Sequence, residues 1–114
     1  MENSVVMYDE AIQLEKTGQI EGAIAKLQQL LQQDPQYALA HAALSVFYGK
    51  LGQYEQAIQH GQQVCQLEPE DPFSYVALSL ICQKAGRLAE AEQAMFKARQ
   101  AQVARYRQQM SPEG

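Results

Sequence analysis

The chain has 114 residues, of which 46% are hydrophobic, and its formal net charge is −4. This length suits one domain. The acidic balance argues against nucleic-acid binding, which needs a basic face to displace counterions from phosphate, and against a basic amphipathic helix on a membrane. No apolar stretch approaches the ~20 residues that span a bilayer.

The compartment is expected to be the cytoplasm. The first ten residues, MENSVVMYDE, lack the basic region and apolar run of a signal peptide. The two cysteines, Cys65 and Cys82, lack CxxC spacing, and free thiols are ordinary in a reducing cytosol.

The first third of the chain predicts two helices. One begins near Val5 and ends at Gly18. The next begins at Ile20 and repeats apolar residues at the i, i+3, i+4, i+7 spacing of an amphipathic helix. It ends at Asp34-Pro35, because the residue before a proline is pushed out of the α region.

The rest of the chain predicts two more pairs of helices. The second pair covers about 38–51 and 54–67 and stops before Pro69. The third pair begins at Asp71, which caps a helix with a proline in its first turn, and it is interrupted at Gly86. No stretch alternates with the period of two that strands require, so an all-α fold is predicted.

The three pairs repeat one pattern. The segments TGQIEGAI, LGQYEQAI and AGRLAEAE start at residues 17, 51 and 85, each 34 residues after the last. In each, a glycine supplies the left-handed conformation that ends the first helix. Five residues later an alanine (Ala23, Ala57 or Ala91) provides a small side chain where the two helices cross.

These residues resemble the tetratricopeptide repeat family, whose unit is 34 residues long. The resemblance implies one domain over 1–114, an α-solenoid of three helix-turn-helix repeats (about 4–37, 38–71 and 72–105) with a helix extension and tail over 106–114. Nothing in the sequence forms a nucleotide-binding or catalytic motif. We therefore expect no enzymatic activity and no cofactor.

The resemblance also implies that the first helices of the repeats line a concave groove that grips a peptide or helix of another protein. Charged residues are absent between Gln36 and Lys50 and again between Pro72 and Gln83, apart from protonation of His41. So much apolar surface is not left bare on a monomer, which favours a hydrophobic or amphipathic segment of a partner as ligand. The groove positions are Tyr8, Ile12, Leu39, Ala42, Val46, Gly49, Phe73, Val76 and Leu80.

Family members that clamp a C-terminal carboxylate do so with cationic and amide side chains. The matching positions here are Tyr8, Ile12, Ala43, Phe73 and Ala77, so binding of chaperone C-termini is not expected.

Lys16, Lys50 and Lys84 recur two residues before each glycine and are expected along one rim of the groove. They either meet acidic side chains of the ligand or complement the helix dipole, and the second interpretation is favoured.

The last helix is predicted to continue to about Met110, because no proline occurs between Ala98 and Met110 and alanine favours helix. Phe96, Val103, Tyr106 and Met110 form a second apolar stripe on it. The tail helix either caps the last repeat or pairs with a second copy, against the alternative of a solvated helix. A self-associating scaffold, a homodimer through the groove or this helix, is the alternative function.

Metal binding by the histidines and reactivity of the cysteines are both disfavoured. His41 is expected to pack between helices and His60 to face solvent, and two histidines do not make a metal site. The cysteines are expected to be small buried hydrophobes.

Two glycines lie inside predicted helices. Gly61 stands where the family has a bulky residue, so a large neighbour, Tyr75 or Phe47, is expected to fill the space. Gly49 is expected to let a ligand approach the backbone.

Overall fold

The predicted all-α fold is confirmed by the computed structural model, which describes residues 2–110. The part of the predicted tail at 111–114 lies outside the described residues. Within 2–110, six α-helices follow one another in three pairs, and consecutive helices pack together. They are α1 (Ser4–Lys16), α2 (Ile20–Gln33), α3 (Ala38–Lys50), α4 (Tyr54–Leu67), α5 (Pro72–Lys84) and α6 (Leu88–Met110).

The first helix of every pair ends in the same hydrogen-bonded turn. Gly18, Gly52 and Gly86 adopt φ values of 86°, 74° and 78°, a left-handed conformation that glycine reaches without steric cost. The residue after each glycine donates its amide hydrogen back to the helix, as Gln19 does to the Leu14 carbonyl at 2.8 Å. This pattern satisfies carbonyls that the helix end would otherwise leave unpaired. The three turns therefore fold each pair of helices back antiparallel.

Proline and aspartate set the remaining boundaries. The α2 helix ends at Gln33 and α4 at Leu67, each two residues before a proline. At the start of α5, the Asp71 side chain accepts a hydrogen bond of 3.0 Å from the amide of Phe73. Such caps stabilise a helix by about 1 kcal/mol.

The core lies between the two helices of each pair and between neighbouring pairs. Ala23, Ala57 and Ala91 are buried at the predicted crossing points. Opposite two of these alanines a hydroxyl joins the helices: Ser45 Oγ donates to the Ala57 carbonyl and Ser79 Oγ to the Ala91 carbonyl, each at 2.8 Å. Only a small side chain leaves room for this close approach. The largest fully buried side chains are Leu27, Leu30 and Leu44, and burying each stabilises the fold by roughly 1.5–3 kcal/mol.

The C-terminal helix has the predicted extension, with 23 residues from Leu88 to Met110. Ala91, Ala94 and Ala98 are buried, and these are the residues through which α6 packs. No residue after Ala98 within the described part of α6 is buried. The end of the helix is therefore largely exposed, although Ala101, Ala104, Arg105 and Gln108 line a pocket with Pro69 and Glu70.

Among residues 2–110, none of the helices is sufficiently long and apolar to cross a lipid bilayer.

Candidate partner-binding groove

A pocket of about 360 Å³ lies between α3 and α5. Its floor includes Gly61 of α4, and its apolar sides come mainly from Val46 and Leu80. Both side chains are about half exposed, at 53% and 52%. Val46 lies on α3 and Leu80 on α5, and both helices lack charged residues on every side up to their last turn. One side of each helix packs against the second helices of the repeats, and the other side forms this pocket. The full lining is Ala42, Ser45, Val46, Gly49, Lys50, Gly61, Val64, Ser74, Ala77, Leu80, Ile81 and Lys84.

The pocket brings together only part of the predicted groove. Ala42, Val46, Gly49 and Leu80 line it, with Lys50 and Lys84 at its edge. The other predicted positions, Tyr8, Ile12, Leu39, Phe73, Val76 and Lys16, do not line this pocket.

Four of these other positions fall into two groups, while Val76 is half-buried and Lys16 is exposed. Tyr8 and Ile12 are half-buried and pack against the core, and the Tyr8 ring lies 6.1 Å from that of Tyr37. Burial and the neighbouring Tyr37 raise the pKa of Tyr8. Leu39 and Phe73, by contrast, are 56% and 72% exposed at the starts of α3 and α5. These two side chains extend the apolar surface towards the N-terminal ends of both helices.

Gly49 lines the pocket, but the space beside its Cα is occupied by a side chain of the neighbouring helix. A Cβ atom on Gly49 would lie 2.7 Å from Cδ1 of Ile81. The glycine therefore admits a buried side chain of the neighbouring helix, and α3 and α5 approach closely there.

The neighbour of Gly61 is also different from the one expected. A Cβ atom on Gly61 would lie 3.2 Å from Cδ1 of Leu78 and 3.4 Å from Oγ of Ser45. The expectation of Tyr75 or Phe47 in this space was wrong. Which side chain packs against Gly61 depends on the register between α4 and α5. The helical period of the sequence does not reveal that register.

The rim lysines lie in the last turns of α1, α3 and α5, where a positive charge complements the helix dipole. Lys50 Nζ is 2.9 Å from Oε2 of Glu15, which lies on the preceding repeat. This ion pair joins α1 to α3 across the rim. Lys84 has no equivalent partner within residues 2–110, because the matching position on the preceding repeat is Gly49.

His41 is buried between helices, as predicted, but the expectation that His60 faces solvent was wrong. Their Nδ1 atoms lie 3.0 Å apart, and the His60 ring stacks on Tyr48 with centroids 5.7 Å apart. Two nitrogens do not suffice for a metal ion. No group of three or more potential metal ligands occurs among residues 2–110.

A larger cavity of about 560 Å³ lies on the other side of the repeats, between α4 and α6. Cys65 and Cys82 contribute to it, and polar side chains such as Gln62, Glu90 and Lys97 surround it. Burial raises the pKa of Cys65 to about 11 and raises that of Cys82. Thiols held in the neutral form are poor nucleophiles and poor ligands, so this crevice lacks activated chemistry. The apolar pocket between α3 and α5 is the better candidate for a binding site.

The second apolar stripe of α6 is exposed in the single chain. We call Phe96, Val103, Tyr106 and Met110 the outer stripe; their exposed fractions are 57%, 48%, 61% and 63%. It lies away from the side of α6 that carries the buried alanines and does not itself cover the repeats.

Residues 14–60 match the family model for the tetratricopeptide repeat. Three consecutive pairs of helices with the same glycine turn and the same crossing alanine extend this pattern over residues 4–110. The fold of the chain is therefore that of the tetratricopeptide repeat, and residues 14–60 match the family in sequence as well.

Solved structures share the tetratricopeptide repeat fold. The crystal structure of MamA has a TM-score of 0.84 at 20% identity, covering 92% of this chain and 61% of MamA. The second TPR of Spaghetti (RPAP3), bound to the HSP90 peptide SRMEEVD, has a TM-score of 0.75 at 23% identity, covering 83% and 88% of the two chains. The Yersinia enterocolitica type III secretion translocator chaperone SycD has a TM-score of 0.78 at 23% identity, covering 96% and 78%.

At these identities the likeness establishes the fold alone, and the chain spans about three fifths of MamA's length. No curated protein sequence matches it.

Proposed function

We propose that this chain is a non-enzymatic protein-interaction module that binds an apolar or amphipathic segment of a partner protein in the groove between α3 and α5. The observation that carries this proposal is the pocket of about 360 Å³, whose flanking side chains Val46 and Leu80 are apolar and half exposed. Apolar surface of this kind gains free energy when a ligand removes it from water, at about 25 cal/mol per Å².

The shape of the site supports a peptide rather than a small polar molecule. The pocket is open along α3 and α5, and Leu39 and Phe73 continue its apolar surface. An amphipathic helix places three or four apolar side chains along one face and so fits an elongated groove. The second TPR of Spaghetti was solved with a peptide bound, which supports a peptide ligand for the shared fold.

The side chains of the groove favour a peptide of different chemistry from the SRMEEVD peptide bound to the second TPR of Spaghetti. By the family resemblance, a clamp for a terminal carboxylate has cationic and amide side chains at the positions that are Tyr8, Ile12, Ala43, Phe73 and Ala77 here. Lys50 is held by Glu15, so its charge is already partly compensated. We therefore expect no binding of SRMEEVD and selection of peptides by their apolar side chains.

Selection from a displayed peptide library tests the proposal. Peptides with apolar residues at i, i+3 or i+4, and i+7 are expected to bind, and Val46→Glu or Leu80→Glu should raise their Kd at least about tenfold, because a carboxylate would be buried against apolar atoms. Val6→Glu is the matched control, because Val6 is exposed to a similar extent (50%) but does not line the groove. Failure to select any peptide, or equal binding by Val46→Glu and the wild-type chain, would contradict the proposal. Circular dichroism verifies that each variant is folded.

A further inference from the structure

One segment of α6 is complementary to itself when it is reversed. From Leu88 to Val103 the exposed residues on one side of the helix are Leu88, Glu92, Phe96, Arg99 and Val103, spaced three or four positions apart. The order is apolar, acidic, aromatic, basic, apolar. Glu92 and Arg99 are nearly equidistant from Phe96, as are Leu88 and Val103.

The two charges of this segment have no ion-pair partner within residues 2–110. Both are exposed, and they are seven residues apart, which is about 10 Å along a helix. They are therefore too far apart to pair within their own helix. Each is free to pair with a charge from outside.

The same side of α6 is unsuited to a fourth repeat. At the position matching Glu92, α2 has Ile24 and α4 has Ile58, and both isoleucines are buried against the core. Burying Glu92 in their place is costly unless a cation meets it. A second copy supplies that cation as its own Arg99, and it does so twice because the arrangement is symmetric.

We propose that two copies of this chain associate through α6, antiparallel and centred near Phe96, with Glu92 of each copy against Arg99 of the other. Leu88 then lies opposite Val103, and the two Phe96 rings meet at the centre. A parallel pair would instead place Glu92 against Glu92 and Arg99 against Arg99. Like charges in contact disfavour that arrangement.

The exposed end of α6 is a second reason for a covering partner. No residue after Ala98 is buried in the described part of the helix, and only one side of it faces Pro69 and Glu70. A helix end with so little packing gains little stability from its own chain. In the antiparallel pair, Tyr106 and Met110 extend past the symmetric segment and lie beside the α5–α6 turn of the other copy. The outer stripe, about half exposed or more in one chain, is then removed from water.

Light scattering on the full chain at tens of micromolar tests this proposal, which does not depend on the groove. We expect a dimer. Glu92→Arg and Arg99→Glu should each raise its Kd about tenfold or more, because like charges then face each other. The double variant should restore the Kd to within about threefold of the wild-type value, since the pair is re-formed with its signs exchanged.

Three results would overturn the proposal: a monomer, a dimer that neither single variant weakens, or a double variant as weak as the single ones. Val103→Glu gives a further check, because it lies beyond the packed part of α6 and cannot prevent folding; it should also weaken the dimer. Val46→Glu in the groove should leave the dimer unchanged, which separates this surface from the groove.

Discussion

The Nδ1 atoms of His41 and His60 lie 3.0 Å apart, and Nε2 of His41 lies 2.9 Å from the carbonyl oxygen of Pro35. A carbonyl only accepts, so His41 Nε2 carries the hydrogen there. His41 then accepts at Nδ1 from the Nδ1–H of His60. This hydrogen bond fixes both rings between α3 and α4.

The histidine pair predicts that the fold loses stability in mild acid. Burial, followed by the nearby His41, lowers the pKa of His60 below its ordinary value. The unfolded chain therefore binds a proton at a higher pH than the folded chain does, so stability is full above the unfolded pKa of about 6.5 and falls as the pH drops below it. Urea unfolding at about pH 7.5 and pH 5.5 measures the loss.

His60→Gln is the control for this effect. Glutamine retains an N–H donor without titrating in this range, so the difference in unfolding free energy between the two pH values should shrink. An equal difference in the variant and the wild-type chain would show that other groups are responsible.

Replacing Gly61 in the middle of α4 is predicted to change stability in the direction opposite to the one that helix propensity alone would give. Gly61→Leu should destabilise the fold by about 1–3 kcal/mol, because overpacking against Leu78 and Ser45 outweighs the gain of about 1 kcal/mol in propensity. Gly22→Ala is the matched control: a Cβ there would be 3.9 Å from the nearest atom, Cδ1 of Leu14. It should stabilise by about 0.5–1 kcal/mol. A higher melting temperature for Gly61→Leu would refute the prediction.

The helices and their pairing could be predicted from the sequence, but the contacts between side chains of neighbouring helices mostly could not. Gly18, Gly52, Gly86 and the recurrent alanines repeat at one period, so local rules suffice for the turns and the crossing points. Which side chain meets Gly61 depends on how α5 lies on α4, a tertiary detail that no local pattern encodes.

The candidate site was likewise predictable only in part. The apolar runs of α3 and α5 indicate a groove, and Val46 and Leu80 are exposed beside the pocket. The contribution of Ile81 to its lining was missed, because a helix that is apolar all round gives no signal for which side faces inward. Val64 was missed because it lies on α4, whereas the groove was expected to be lined by the first helices of the repeats. The contact between His41 and His60 was missed for a related reason: it joins residues 19 positions apart on different helices.

The cysteines predict slow reaction with thiol reagents in the folded chain. With its pKa raised to about 11 by burial, Cys65 is about one-thousandth thiolate at a pH near 8. Burial also raises the pKa of Cys82. A colorimetric disulfide reagent should therefore titrate both thiols within seconds in guanidinium chloride and far more slowly in buffer. Equally fast reaction in the two solvents would show that the crevice between α4 and α6 exposes an activated thiol.

Removal of residues 103–114 distinguishes a cap from an exposed extension. If the end of α6 covered apolar surface of the last repeat, its loss would expose that surface and lower stability by several kcal/mol. No residue after Ala98 is buried in the described part of the helix, so we expect a loss below about 1 kcal/mol, the level of ordinary surface changes. Dimer formation adds stability that depends on concentration, so the comparison is made at the lowest protein concentration that circular dichroism allows. A large loss under those conditions would show that the extension is part of the core.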